Sequence, residues 1–339
     1  MGVVKLKNLS EHLGLTEGTV SRALNDYPDI SAKTRARVQK VARELGYKPN
    51  SNARRLAKGI TECVGFVLPA SESHISEPFL GVLLDGLTDA LSQRNWDLTV
   101  SVARSSDSEL DIIDRLLRSG RVSGLIVSRT HTDDGRIEFL KRSGIPFVAH
   151  GRTADPTGYA WLDVDNEQAF VDAVTHLHEL GHRRIAHIGG QEPFNFARLR
   201  RLGYRGGLDR CGIGYRPEFD LSSEMSDQAG CQAMQKLLAT DPGPTAVVCV
   251  TDMVALGAMQ AIRDAGLEPG REISVIGYDG VPLGQHSNPP LTTMAQPLAR
   301  AGRRLGEILL QVIDGQEPDN AQELWCAELV RRQTDGPPV

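Results

Sequence analysis

A chain of 339 residues with 40% apolar and 24% charged side chains has length for more than one packed core, so it is expected to be globular and multidomain. No apolar run approaches the ~20 residues of a membrane helix, and the opening MGVVKLKNLSEHLGL lacks the apolar core of a signal peptide, which points to the cytoplasm. The five cysteines, Cys63, Cys211, Cys231, Cys249 and Cys326, are scattered and never in a C-x-x-C pair, which argues against a disulfide framework or a zinc site.

The net charge of -5 hides an asymmetry. Residues 1–60 carry 12 Lys+Arg and 5 Asp+Glu, a net +7, whereas the remainder carries 26 basic and 38 acidic residues, a net -12. A small basic segment on a larger acidic body is the footprint of a nucleic-acid-binding head, because basic side chains that neutralise phosphates release counterions. A basic solvated tail is the competing reading.

Periodicity favours a folded head. Leu6, Leu9 and Leu13 lie at helical spacing, and Gly14 follows them as a C-cap would. Thr16 is a natural N-cap for a second helix with Val20, Ala23 and Leu24 inward. A third begins at Ser31, and Val38, Val41, Ala42 and Leu45 form its apolar stripe. Two short helices about a Gly14 turn are the signature of a helix-turn-helix, whose second helix enters the major groove. Its exposed face offers Glu17, Gly18, Ser21, Arg22 and Asn25 to DNA. Arg22 can bond guanine bidentately; Glu17 either accepts from a cytosine amino group or complements the helix dipole.

Next comes KPNSNARRLAKG, residues 48–59, with two adjacent arginines and one large apolar residue, Leu56. Here the sequence resembles the lactose-repressor/galactose-repressor (LacI/GalR) family of regulators, through LSEHLGLTEGTVSRALN, ISAKTRARVQKVARELGYKPN and ARRLAKG in order. The resemblance implies a hinge that folds on specific DNA and wedges Leu56 between base steps in the minor groove. It also extends the DNA-contacting set to Thr16, Thr19, Ser31, Tyr47, Asn50, Ala53, Arg54 and Arg55.

From residue 63 onward, short apolar runs alternate with amphipathic stretches, which argues for parallel α/β architecture. The strands expected are CVGFVLPA, WDLTVSV, GLIVSRT and IPFVAHG, then RRIAHIGG, TAVVCVTD and EISVIGYD. Two similar halves joined near Ala160 imply a cleft lined by polar residues at the carboxyl ends of the strands. The resemblance continues through LDVDNE, LGHRRIAHIGG, TDMVALGAM, ISVIGYD and PPLTTMAQP. It implies an all-α helix-turn-helix head on a periplasmic-binding-protein-like body of two Rossmann-like subdomains. The expected boundaries are 1–48 for the head, 49–59 for the hinge and 60–339 for the effector-binding and dimerisation domain. Within the last, one subdomain is expected near 60–160 and 292–320, the other near 162–289 and 322–335.

Function follows from the same resemblance: a homodimeric transcriptional regulator, a repressor, that binds a pseudo-palindromic double-stranded operator under control of a small-molecule effector, a sugar or glycoside. The family's effector contacts fall on Ser71, Phe79, Arg198, Asp279 and Gln296, with Trp161 and Asp163 near an aromatic-plus-acid position. Aromatic rings can cover a sugar face while charged groups bond its hydroxyls. Arg200 is an alternative to Arg198, Arg198 and Asp279 could instead pair structurally, and Trp161 could be core. The chain departs from the family pattern at Thr251, where asparagine is common, at Gly280, where a second aspartate is common, and in the longer loop LPASESHISEPF. His74, Glu77, Arg129, His150 and Arg152 are therefore added as candidates shaping the pocket.

An enzyme is the rival reading, but G-x-G-x-x-G after a strand, GxxxxGK[ST] and G-x-S-x-G are all missing. His176 and His178 lie two apart on a helix and point to different faces, which argues against a metal site with His182. No cofactor is expected. A transport binding protein would share the body but not the basic head.

Overall fold

Leucines at helical spacing draw the head together around α1 (Leu6–Leu13), α2 (Glu17–Leu24) and α3 (Ala32–Glu44). Leu9, Leu13, Val20, Ala23, Val38 and Ala42 make its core. Gly14 ends α1 at φ 65°, a left-handed conformation that costs glycine nothing. The Thr16 hydroxyl accepts from Thr19 N at 3.2 Å and Ser31 accepts from Thr34 N at 3.2 Å, so both starts have the side-chain acceptors expected of them. The structure, a computed structural model, describes residues 4–24, 27–47, 61–68, 78–103 and 108–339. Residues Met1–Thr61 and Glu62–Val339 form two separate compact units.

The second unit holds two six-stranded sheets. The first contains β1 (Cys63–Leu68), β2 (Asp97–Val102), β3 (Gly124–Ser128), β4 (Phe147–His150), β5 (Ala160–Val164) and β11 (Gln322–Trp325), in the order β11-β5-β4-β3-β1-β2. The second contains β6 (Ile185–Gly189), β7 (Asp220–Ser222), β8 (Ala246–Cys249), β9 (Ser274–Asp279), β10 (Thr292–Ala295) and β12 (Glu328–Val330), in the order β12-β10-β9-β8-β6-β7. All pairings are parallel except β10 with β12. Strands such as AVVC and GLIVS are buried along their length because helices cover both faces.

Helices α4 (Pro78–Ser92) and α12 (Leu298–Ile313) cover one face of the first sheet, and α5 (Glu109–Arg118) and α6 (Gly135–Ser143) cover the other. Around the second sheet, α7 (Asn166–Glu179) pairs with α8 (Asn195–Arg210), and α9 (Asp227–Leu238) with α10 (Asp252–Asp264), while the short α11 (Pro282–Gln285) follows β9. Gly86 and Gly302 let α4 and α12 cross so closely that a Cβ at either would collide with the other helix's backbone.

Three of the expected subdomain boundaries are corrected. Residues 160–164 pair wholly in the first sheet as β5, 292–295 join the second as β10, and 322–325 return to the first as β11. The chain thus passes between lobes after Val164, after Ala295 and after Trp325. Short strands such as TTMA and QELW carry no pattern that names their partner, so sequence alone could not place them. The last stretch is fastened to the second lobe: Thr334 Oγ1 donates to Val275 O at 2.7 Å, Thr292 Oγ1 to Asp335 Oδ1 at 2.5 Å, and Gly336 N to Ser274 Oγ at 3.0 Å.

Candidate effector cleft and nucleic-acid interface

A cleft opens where the strands of both sheets end. It encloses ≈ 800 Å³ of empty space, counted out to its open mouth and into solvent. Arg129 follows β3, His150 closes β4, Asp163 lies in β5, Thr251 follows β8, Asp279 closes β9 and Gln296 follows β10, and all six line it. Phe79, in the first turn of α4, adds a ring whose centroid lies 5.6 Å from that of His150. Asp279 and Arg129 hold φ of 114° and 54°, backbone strain of a kind that clusters at functional sites.

Arg200 is the cationic centre of the cleft. Only 4% exposed, it donates from Nε to Asn166 Oδ1 at 2.8 Å and from NH1 to Val250 O at 2.5 Å, and its guanidinium lies 3.6 Å from the Tyr278 ring centroid. Asp163 accepts from Val164 N at 2.8 Å and Asn166 Nδ2 at 3.2 Å, with Arg152 Nε 3.3 Å away. Burial pushes its carboxyl up to about 6, against the pull of Arg152. Burial likewise raises Asp252 to about 6, although Thr293 Oγ1 and Val281 N donate to it. His150 moves the other way: burial first, then the Arg200 charge, bring it down to about 4, so the imidazole is neutral near pH 7. Gln296 Nε2 donates to Asp279 Oδ1 at 2.7 Å.

The two lobes also bond to each other beside the cleft. His131 and Phe194 form an isolated antiparallel bridge, Thr132 N donates to Pro193 O at 2.9 Å, and Asn195 N donates to Thr130 O at 3.0 Å. Asn195 Nδ2 reaches Arg152 O at 2.7 Å.

Two expected residues do not line the cleft. Arg198 turns away and donates from Nε to Asn195 Oδ1 at 3.0 Å, because residues two apart on a helix face different sides; Arg200 faces the cavity instead. Trp161 is 7% exposed within the first-lobe core, with Nε1 bonded to Pro156 O at 3.0 Å. Ser71, His74 and Glu77 lie outside the described residues. Asn166, Phe196, Met225 and Asp252 line the cleft without having been singled out. Asn166 and Asp252 sit inside the quoted LDVDNE and TDMVALGAM motifs, whereas nothing local marks Met225.

In the head, Glu17, Gly18 and Arg22 are exposed on α2, and Arg22 forms an ion pair with Asp29. Thr16 and Thr19 share a hydroxyl contact of 2.9 Å, Ser31 caps α3, and Tyr47 packs partly against the head core. Asn25, Asn50, Ala53, Arg54, Arg55 and Leu56, and with them the hinge, lie outside the described residues. Also among the described residues, no helix is long and apolar enough to cross a membrane, and no group of three or more His, Cys, Asp or Glu could hold a metal ion.

A three-helix DNA-binding head attached to a two-lobed, cleft-bearing α/β body defines a class of ligand-responsive regulators. The family profile described as bacterial regulatory proteins, lacI family, matches residues 6–50, and that described as periplasmic binding protein-like domain matches residues 174–334. The chain is 41% identical to the HTH-type transcriptional regulator AglR of Rhizobium meliloti (strain 1021) over 98% of its own length and 95% of the relative's. It is 32% identical to the HTH-type transcriptional repressor CytR of Escherichia coli (strain K12), over 96% and 95%. Among solved structures it resembles the lac repressor dimer bound to operator and the anti-inducer ONPF, at 30% identity and a TM-score of 0.85 over 98% and 99% of the two chains. The CelR–cellobiose complex matches at 29% identity and a TM-score of 0.76 over the same shares. The chain belongs to the LacI family and is a transcriptional regulator rather than an enzyme.

Proposed function

We propose that this protein is a cytoplasmic repressor that binds a pseudo-palindromic operator as a homodimer and changes its affinity for it when a sugar or glycoside, a mono- or disaccharide unit, enters the cleft. The observation that carries the reading is the convergence of Arg200, Asp163 and Asp279 with the Phe79 ring at the strand ends: charged groups for hydroxyls beside an apolar face for a pyranose. The cellobiose of the CelR complex and the operator of the lac repressor complex support it for those relatives. Glu17, Ser21, Arg22 and the hinge residues 49–59 are proposed to contact DNA, with 60–339 as the sensing and dimerising part.

The test uses the full chain. A thermal-shift screen over mono- and disaccharides, cellobiose first, is expected to yield at least one that raises Tm in proportion to ln[ligand]. The same sugar should then change operator affinity. A panel that leaves Tm unmoved overturns the sugar assignment, and a protein that is monomeric at micromolar concentration with salt-sensitive but sequence-blind DNA affinity overturns the operator assignment.

A further inference from the structure

We propose that Asp29 is a specificity-determining residue: its carboxylate braces the Arg22 guanidinium so that Arg22 can discriminate its base. This rests on the reading of α2 as the DNA-recognition helix. The loop between α2 and α3 is built to hold Asp29 in place. Tyr27 N donates to Arg22 O at 3.1 Å, which folds the chain back onto the end of α2, and Ile30 N donates to Tyr27 O at 3.2 Å. From α3, Arg35 NH2 grips the same loop at Tyr27 O, 3.4 Å, and Ile30 O, 3.0 Å. Asp29 lies inside this clasp and pairs with Arg22 across the outer surface of the head.

By charge alone, a carboxylate here opposes phosphate docking on every sequence. The pairing gives it a second, sequence-dependent effect. A guanidinium is a planar fork with five N–H donors, so it can keep one edge on Asp29 while another meets guanine O6 and N7. An unbraced arginine must give up its rotamer freedom on meeting the base, and it can satisfy a wrong base or a phosphate equally well. Asp29 thus trades general affinity for discrimination.

The full-length protein is first used to select duplexes from a randomised library, and the preferred duplex is then varied one base pair at a time. Kd ratios are measured for wild type, Asp29→Asn, Asp29→Glu, Arg22→Ala and the double variant Asp29→Asn/Arg22→Ala. Wherever Arg22→Ala flattens the base preference, Asp29→Asn is expected to reduce it about fivefold or more, the lower end of what a bidentate arginine–guanine contact supplies. Asp29→Glu should restore it, and in the Arg22→Ala background Asp29→Asn should change no ratio. An equal gain in affinity on every duplex makes Asp29 a simple repulsive charge and overturns the inference. So does a loss of preference that Asp29→Glu fails to restore, which would mark a fold defect. If wild type enriches no sequence at all, the DNA-reading assignment itself falls and takes the inference with it, whereas enrichment that Asp29→Asn leaves intact sinks the brace alone.

Discussion

The two lobes of the body have the same strand order yet bring different chemistry to the cleft. On the second lobe the polar groups are fastened before any ligand arrives: Arg200 to Val250 O and to Asn166, Asp252 to Thr293 and Val281, Asp279 to Gln296. The first lobe contributes Phe79, its ring tilted against a neutral His150, and the strained Arg129. One wall is thus a preorganised polar framework with Phe196, Met225 and Val281 set around it, and the other sets the Phe79 ring among Arg129, His150 and Arg152, with Asp163 at the crossing between them. Preorganised groups lose little entropy on binding, so the second lobe should supply most of the affinity and the first most of the shape selection.

The hardest test of that division is Arg200→Ala. Hydrogen bonds to charged groups contribute ~1.5 to 3 kcal/mol each, so sugar affinity should fall by roughly a hundredfold or more, read by calorimetry. Tm should fall too, since Val250 O and Asn166 Oδ1 lose a donor; affinity that survives the substitution would break the comparison. On the opposite wall, Phe79→Ala should cost about tenfold in affinity with little change in Tm. A loss equal to that of Arg200→Ala would mean the Phe79 ring binds as strongly as the framework.

The crossing point titrates. Between the ordinary 3.8 and about 6 the folded chain keeps a proton on Asp163 that the unfolded chain has released, so this group disfavours folding increasingly as pH rises through that window. His150 has the opposite sign: between about 4 and 6.5 the unfolded chain binds the extra proton, so its contribution to stability grows as pH rises. Asp163→Asn removes only the first. Its Tm relative to wild type should therefore climb by a few degrees between pH 4 and pH 7, and a constant offset across that range would show that Asp163 ionises normally. The smallest effect is expected for Arg198→Ala, which loses only the bond to Asn195: sugar affinity should stay within about twofold, the scale of a surface substitution.

The legible parts of this sequence were those with a period or a cap. Leu9, Leu13, Val20 and Val38 announced the head core, and the apolar runs of β1, β3, β6, β8 and β9 announced parallel sheets. The family resemblance pointed to Asp279 and Gln296, and departures from its pattern pointed to Arg129 and His150; all four line the cleft. What stayed hidden depends on partners distant in the chain. Arg198 and Arg200 fit the same motif equally, and only the packing of α8 against α7 decides which enters the cavity. Trp161 looks like a sugar platform until β5 turns it into the first-lobe core. Strands β7, β10, β11 and β12 are three or four residues long, too short to show alternation.

The triple passage of the chain between lobes sets a timetable for synthesis. The head is a separate unit that emerges first, but the first sheet lacks an edge strand until Gln322–Trp325 has left the ribosome, and the second until Glu328–Val330 has. The anchors Thr334 and Asp335 come later still. Neither half of the sensor can mature ahead of the other, so translation that stops before residue 322 releases a DNA-binding head on a body with both sheets still open.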